Sequence, residues 1–271
     1  MIPHMSQTLL VVPHFRDTFR FEPFLEELVA ILPSHFAVVV SDDGSGPTEV
    51  AGLCSLLLRK RASLGPNAPT LLEPLLHQGN TGKGAAVVRG WQQGKEYSLL
   101  AFADADGAVS ASEILRAEQH FRSQRVYDAL LGSRIKMLGR SIRRNPLRHV
   151  SGRIFATLVS VVSGLPAYDT QCGFKILTRQ AFERIQPHLV STGFAFDVEL
   201  CLLLLKTGHS VVEFPLDWSD VPGSKLNLLR DSIRMTLEVF RIRQRVAALD
   251  RPILRDALTR RGGATRPCVN R

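Results

Sequence analysis

Residues 99–110 read LLAFADADGAVS, and how this stretch is read decides the fold. An apolar run stops at two aspartates one residue apart, Asp104 and Asp106, and Gly107 follows. In a strand the side chains at i and i+2 point the same way. The spacing therefore aims two carboxylates at one place, with Ala103 before them and Ala105 turned aside. Hard divalent cations such as Mg²⁺ are held by one or two carboxylates plus the oxygens of a bound phosphate. A glycosidase pair is the competing reading, but those carboxylates flank a sugar roughly 5–9.5 Å apart and come from different elements. A metal bound to a diphosphate fits the spacing better, and a helix cap is the plain alternative.

Working outward, apolar runs alternate with helical patterns. TLLVVP (8–13) leads to a helix around 22–32, and FAVVVSDDGS (36–45) to one around 48–62. TLLEPLLH (70–77) leads to a helix around 84–94, SLLAFADAD (98–106) to one beginning near 110–112, and DALLGSR (128–134) follows. Continuous apolar strands separated by helices predict an α/β domain with a mostly parallel sheet covered on both faces. In such sheets ligands bind outside the carboxyl ends of the strands. Asp42-Asp43-Gly44-Ser45, the glycine turn 79–84, Asp104–Asp106 and Gly132-Ser133-Arg134 all fall at that edge. Any one of them alone reads as a turn or a cap.

The glycine turn in HQGNTGKGAAVVRGW (77–91) is not a phosphate-binding P-loop, because Gly82-Lys83 is followed by Gly84 rather than Ser or Thr. It partly matches a dinucleotide fingerprint, but Val87 stands where the third glycine belongs. What survives is a glycine turn at a helix start, where a backbone can approach a nucleotide or sugar closely.

The net charge of +9 over 271 residues is unevenly placed. Residues 132–153 carry +7 with no acid, residues 225–271 carry +8, and the remainder is −6. Basic patches on a mildly acidic body suit phosphates or an anionic membrane surface. A nucleic-acid partner is not expected, since Phe240 is the lone aromatic residue of 225–271 and base stacking needs several. No stretch approaches the roughly 20 apolar residues that cross a bilayer, the longest apolar run being 154–165. No signal peptide is read at the N-terminus, so a cytoplasmic location is expected. Four scattered cysteines form no metal or disulfide framework. Residues 226–249 predict a long basic helix with Leu229, Ile233, Leu237 and Phe240 on one face, suited either to the core or to an anionic membrane.

Taken in order, VVVSDDGS, GNTGKGAAVVRGW, FADADG, GSR, DTQCGFKILTR, FAFDVELCLLL and GSKLN resemble the family-two inverting glycosyltransferases. The likeness is nearest to the dolichyl-phosphate β-glucosyltransferases and mannosyltransferases, and it runs from about residue 8 to 245. It implies a GT-A, Rossmann-like nucleotide-sugar domain over 1–225, to which the residue pattern adds a basic amphipathic helix over 226–250 and the composition a basic, largely disordered tail over 251–271. It implies donor contacts at Pro13, Phe15, Asp17, Asp42, Asp43, Gly82, Lys83, Ala103, Asp104 and Ser224, and Mg²⁺ or Mn²⁺ held by Asp104 and Asp106. Arg134, Arg148 and Ser151 match positions that contact an acceptor phosphate, and Ser224 and Lys225 a loop closing over the diphosphate. Asp104, Asp106, Arg134 and Lys225 are the implied catalytic set. The donor expected is UDP-glucose, with GDP-mannose as the alternative, and the acceptor a polyprenyl phosphate; the alternatives are the same fold with a saccharide or small phosphorylated acceptor, and a non-catalytic basic protein binding nucleotide or membrane. An alcohol acceptor would instead need a base, for which Asp197 or Glu199 are the candidates. Peripheral contact with the cytoplasmic face of a membrane completes the expectation. The family's Pro-x-Tyr-Asn-Glu opening is here Pro13-His14-Phe15-Arg16-Asp17, and the amino-terminal membrane helix of the eukaryotic glucosyl enzymes has no counterpart in the sequence.

Overall fold

Strands β1 (Thr8–His14) and β2 (Phe36–Asp42) are runs of aliphatic side chains with almost every residue buried. That is the signature of central strands covered on both faces. The computed structural model describes residues 7–124, 126–135, 137–143, 165, 169–221 and 228–249. Strand β3 is Thr70–Leu71, β4 Leu75–Leu76, β5 Leu99–Ala103 and β6 Ala129–Ser133. The later strands are β7 (Ile142–Arg143), β8 (Phe174–Thr178), β9 (Val211–Pro215) and β10 (Trp218–Ser219). Among the described residues the main sheet runs β3-β2-β1-β5-β8-β6-β9, with β4 also on β2. Strands β7 and β10 form a separate parallel pair.

The sheet is parallel except at β8, which is antiparallel to both β5 and β6. The sequence reading assigned no strand there. The expected strand over 70–77 is two short pieces, because Pro74 lies between them and offers no backbone N–H to a ladder.

The helices are α1 (Thr18–Ile31), α2 (Pro47–Ala62), α3 (Lys83–Gln93), α4 (Ala111–Gln124), α5 (Arg179–Ile185), α6 (Phe196–Lys206) and α7 (Leu228–Ala248). Helix α1 starts four residues before the expected position and carries Pro23 inside it, its buried stripe being Phe21, Phe24, Leu25 and Leu28. One core lies under α1, α2 and α4, with Phe21, Phe24, Leu53 and Ile114 against Val38 and Val40. The other lies under α3, α5 and α6 and is centred on Trp91. Trp91 donates Nε1–H to the Ala101 carbonyl over 3.0 Å and packs on Phe182 and Phe196 with ring centroids 5.3 and 5.9 Å away. Each such buried aromatic contributes roughly 1.5–3 kcal/mol, so α3 and α6 are fixed firmly against β5.

Helix α7 buries a different stripe from the one picked out in the sequence. Val239, Ile242 and Val246 are buried against the second core, whereas Leu237 and Phe240 are more than half exposed. Arg245 pairs with the fully buried Glu199 of α6. The helix therefore packs on the body through one face and presents another apolar pair outward.

Candidate active site

The carboxyl ends of β1, β2, β5 and β6 bring the polar clusters to one edge, as the parallel register requires. Two of these clusters are wall-builders. Asp42 is fully buried and accepts from Ser45 N (2.9 Å), Ser45 Oγ (2.5 Å) and the His14 ring (2.7 Å). Burial works to raise the Asp42 carboxyl, and the bonds from Ser45 and His14 outweigh it and hold it below its ordinary range. Ser45 Oγ also accepts from Arg16 N over 2.8 Å, and so binds the 13–17 loop to the 42–45 loop. Arg16 is held at φ 51, a costly conformation for a residue with a side chain, and its guanidinium lies 5.0 Å from the Phe15 ring. Asp17 pairs with Arg20. Pro13 is the last residue but one of β1, next to this cluster.

Asp43 reaches the other way. It accepts from Thr81 N and Oγ1 over 2.8 and 3.0 Å, and from Gly82 N over 2.7 Å. Gly82 has φ 108, and a Cβ there would meet the Thr192 carbonyl at 2.4 Å. The close approach that the glycine turn permits is thus to residues 191–196 of the chain itself, and Ala85 N donates to Thr192 O over 3.1 Å.

The pair from FADADG stands apart. Asp104 follows β5 and its N–H donates to Gly173 O over 2.9 Å. A Cβ on Gly173 would fall 2.3 Å from Asp104 Oδ2, so only glycine leaves that carboxylate its place. Lys83, opening α3, sets Nζ 2.7 Å from Asp104 Oδ1 and 3.5 Å from Asp197 Oδ2. Burial would lower its ammonium, and Asp104 and Asp197 outweigh that and hold it above the ordinary lysine range. Asp106 accepts from Ala108 N over 3.1 Å. Burial first, then the Asp104 charge, push the Asp106 carboxyl up against the opposing pull of Arg20 and Lys83.

This is the condition that a hard cation relieves. Among the described residues no group of three metal-ligating side chains occurs. The donor set fits Mg²⁺ or Mn²⁺ completed by oxygens of a bound diphosphate.

Beside the pair, the 134–143 loop is tied down at both ends. Arg134 donates Nε and one terminal nitrogen to Asp169 over 2.6 and 2.8 Å, and its backbone N–H donates to the same carboxylate. Burial would raise the Asp169 carboxyl, and Arg134 overcomes this and lowers it to about 2. Farther along, Trp218 N donates to Ser141 O, and Ser219 N donates to Ala108 O just past the aspartate pair. Between these anchors Met137 and Leu138 stand exposed, Leu138 almost completely.

The two candidate bases lie in ion pairs. Asp197 Oδ1 receives Lys175 Nζ over 2.5 Å, while Glu199 accepts from Val190 N and Ser191 N and pairs with Arg245. On α6 they diverge, as acids two residues apart must. Asp169, Gly173 and Lys175 are site residues that the residue-by-residue reading missed. The signal was present, since Lys175 is the one charge in the strand FKILT, where a buried position demands a partner. Arg148, Ser151, Ser224 and Lys225 lie outside the described residues, as does most of the apolar run 154–165.

The comparisons with known proteins agree with this geometry. No family model matches the chain. It is 30% identical over 260 residues to the dolichyl-phosphate β-glucosyltransferase of Saccharomyces cerevisiae, covering 86% of this chain and 73% of that one. To the Dictyostelium discoideum enzyme of the same name it is 30% identical over 250 residues, covering 87% and 73%. To the human one it is 27% identical over 253 residues, covering 89% and 76%. Among solved structures, glucosyl-3-phosphoglycerate synthase from Mycobacterium tuberculosis, in complex with Mn²⁺, UDP and phosphoglyceric acid, superposes with a TM-score of 0.64 at 11% identity. That match covers 91% of this chain and 80% of that one. TarS of S. aureus gives 0.55 at 17% identity, covering 94% and 71%. The fold is accordingly GT-A, the protein is a glycosyltransferase, and the chain belongs to the dolichyl-phosphate β-glucosyltransferase family of polyprenyl-phosphate glycosyltransferases.

Proposed function

We propose that the protein transfers glucose with inversion from UDP-glucose to a polyprenyl phosphate, with Mg²⁺ or Mn²⁺ held by Asp104 and Asp106. The observation that carries this reading is the Asp104–Asp106 carboxylate pair at the carboxyl edge of β5, with the basic 134–143 loop beside it. When bound, the metal offsets charge that develops on the departing diphosphate. The loops organised by Asp42 and Asp43 would form the nucleoside walls, with Pro13, Phe15 and Asp17 on the β1 side. Arg134, oriented by Asp169, would present its guanidinium toward the acceptor phosphate. A phosphomonoester has a second pKa of about 6 and is largely dianionic at neutral pH. It needs positioning and no base, which agrees with Asp197 and Glu199 lying in ion pairs. Arg148, Ser151, Ser224 and Lys225 belong to the proposal by resemblance alone.

A polyprenyl acceptor lies in a bilayer, and among the described residues no helix is long and apolar enough to cross one. We infer peripheral contact with the cytoplasmic face of an anionic membrane through Met137 and Leu138 on the basic loop and through the outer face of the 226–250 helix, with 251–271 as a basic tail. Each basic residue near such a surface contributes about 1 kcal/mol. Flotation with anionic vesicles should carry the protein up at low salt and release it at high salt, and no cofractionation at low salt refutes the contact.

The activity is tested with labelled UDP-glucose and GDP-mannose, each with polyprenyl phosphate or phosphoglyceric acid, with Mn²⁺ or with EDTA. Glucose on the lipid only with metal is expected. Transfer to phosphoglyceric acid but not to the lipid would overturn the acceptor, and mannose transfer the donor.

A further inference from the structure

Lys83 belongs to a buried line of alternating charges. Lys175 Nζ lies 2.5 Å from Asp197 Oδ1 and donates to the Cys172 carbonyl over 3.0 Å. Asp197 Oδ2 lies 3.5 Å from Lys83 Nζ, and Lys83 Nζ lies 2.7 Å from Asp104 Oδ1. Both ammonium groups approach the same Phe102 ring, at 5.0 and 5.2 Å. The line runs from Lys175, 1% exposed, outward to Asp104, 38% exposed. Its inner half is closed, because Asp197 is nearer to Lys175 than to Lys83. Its outer half is not, because Lys83 sits on an oxygen of the carboxylate that would also ligate a metal.

Two cations cannot share that oxygen without repulsion. Whichever oxygen of Asp104 it takes, a divalent ion arriving alone stands against the Lys83 ammonium on the same carboxylate and weakens the hold of both. The other carboxylate in direct contact with Lys83 among the described residues is Asp197, already paired with Lys175. A diphosphate arriving with the ion supplies a new anion for Lys83. The cost of moving Lys83 is thus met only when both ligands are present.

We propose that Lys83 is a tethered counter-ion for Asp104, and that its transfer from this carboxylate to the donor diphosphate makes metal and donor binding mutually dependent. Asp197 and Lys175 act through Lys83 as positioning residues, keeping its ammonium within reach of both anions. This rests on the reading of the site as one for a nucleoside diphosphate and a divalent cation. Because binding linkage is reciprocal, the dependence is the same whichever ligand is titrated first.

The test is a calorimetric cycle with MnCl₂ and UDP, each titrated alone and in the presence of the other, on the full chain and on Lys83→Met. In the unaltered protein Mn²⁺ alone should bind weakly, and UDP should tighten it by more than tenfold. In Lys83→Met, Mn²⁺ alone should bind about fivefold tighter, and the tightening by UDP should fall about tenfold. Near-ultraviolet circular dichroism checks that the variant is folded. Lys83→Arg, which keeps the charge, should restore most of the linkage and serves as the second variant. An unchanged linkage in a folded Lys83→Met, or an Mn²⁺ affinity that falls rather than rises, overturns the proposal while leaving the donor site intact. Failure of the unaltered protein to bind UDP with or without Mn²⁺ overturns the donor reading, and this inference with it.

Discussion

Two pairs of aspartates sit at the same edge of the sheet, one after β2 and one after β5, and they behave in opposite ways. Asp42 and Asp43 are consecutive, so one carboxylate turns to His14 and Ser45 while the other turns to the glycine turn at 81–82. Asp104 and Asp106 are separated by one residue, and burial and then the Asp104 charge raise the cost of charging Asp106. The first pair is surrounded by backbone and hydroxyl donors that the chain itself supplies. The second meets one ammonium group and one backbone N–H among its described contacts. Identical side chains become wall or site according to whether their spacing is one or two.

The sharpest break of this comparison is Asp106→Asn. It should lower metal-dependent glucosyl transfer by roughly 10³-fold, since the metal supplies several kcal/mol of charge stabilisation. It should leave the melting temperature unchanged or raised, because it removes a carboxylate held above its ordinary pKa. Paired kinetics and thermal melts check both signs. Asp42→Ala should do the reverse. It leaves His14 and Ser45 buried without their acceptor and should cost about 3 kcal/mol of stability, read by urea unfolding.

A third experiment concerns Asp169, whose folded pKa of about 2 lies below the unfolded carboxylate value. A depressed folded pKa gives stability that is present above about pH 4 and lost as the pH falls toward 2. The amount is about 2 kcal/mol. Acid unfolding of Asp169→Asn should show a flatter limb over that window, with a lower plateau at neutral pH. The smallest effect expected is that of Gly173→Ala. Its methyl group would displace the Asp104 carboxylate and should weaken Mn²⁺-dependent UDP binding about tenfold, read by calorimetry.

Much of this was legible in the sequence. The alternation of β1, β2, β5 and β6 with helices, and the placement of polar clusters at strand ends, follow from burial on two faces and from the parallel register. What escaped was long-range. That β8 enters between β5 and β6 in the opposite direction depends on where a distant segment docks, and a short apolar run does not encode direction. The helix 228–248 shows the same limit. Its period is visible, but which apolar stripe meets the body was decided by Val239, Ile242 and Val246 fitting the second core, leaving Leu237 and Phe240 outside. Lys83 was assigned to the donor by the resemblance. Its tie to Asp197, 114 residues away, appears only in three dimensions.

The antiparallel strand also has a bearing on synthesis. The first 124 residues contain β3, β2, β1 and β5 with α1 to α4, yet β5 keeps one raw edge until residues 174–178 arrive. That strand leads straight into Asp104. A nascent chain at this stage therefore shows an unpaired β edge at the very strand that will carry the carboxylates, an invitation to strand exchange between neighbouring chains. Ribosome-bound chains ending near residue 150 should recruit chaperones that chains extending past residue 210 no longer need.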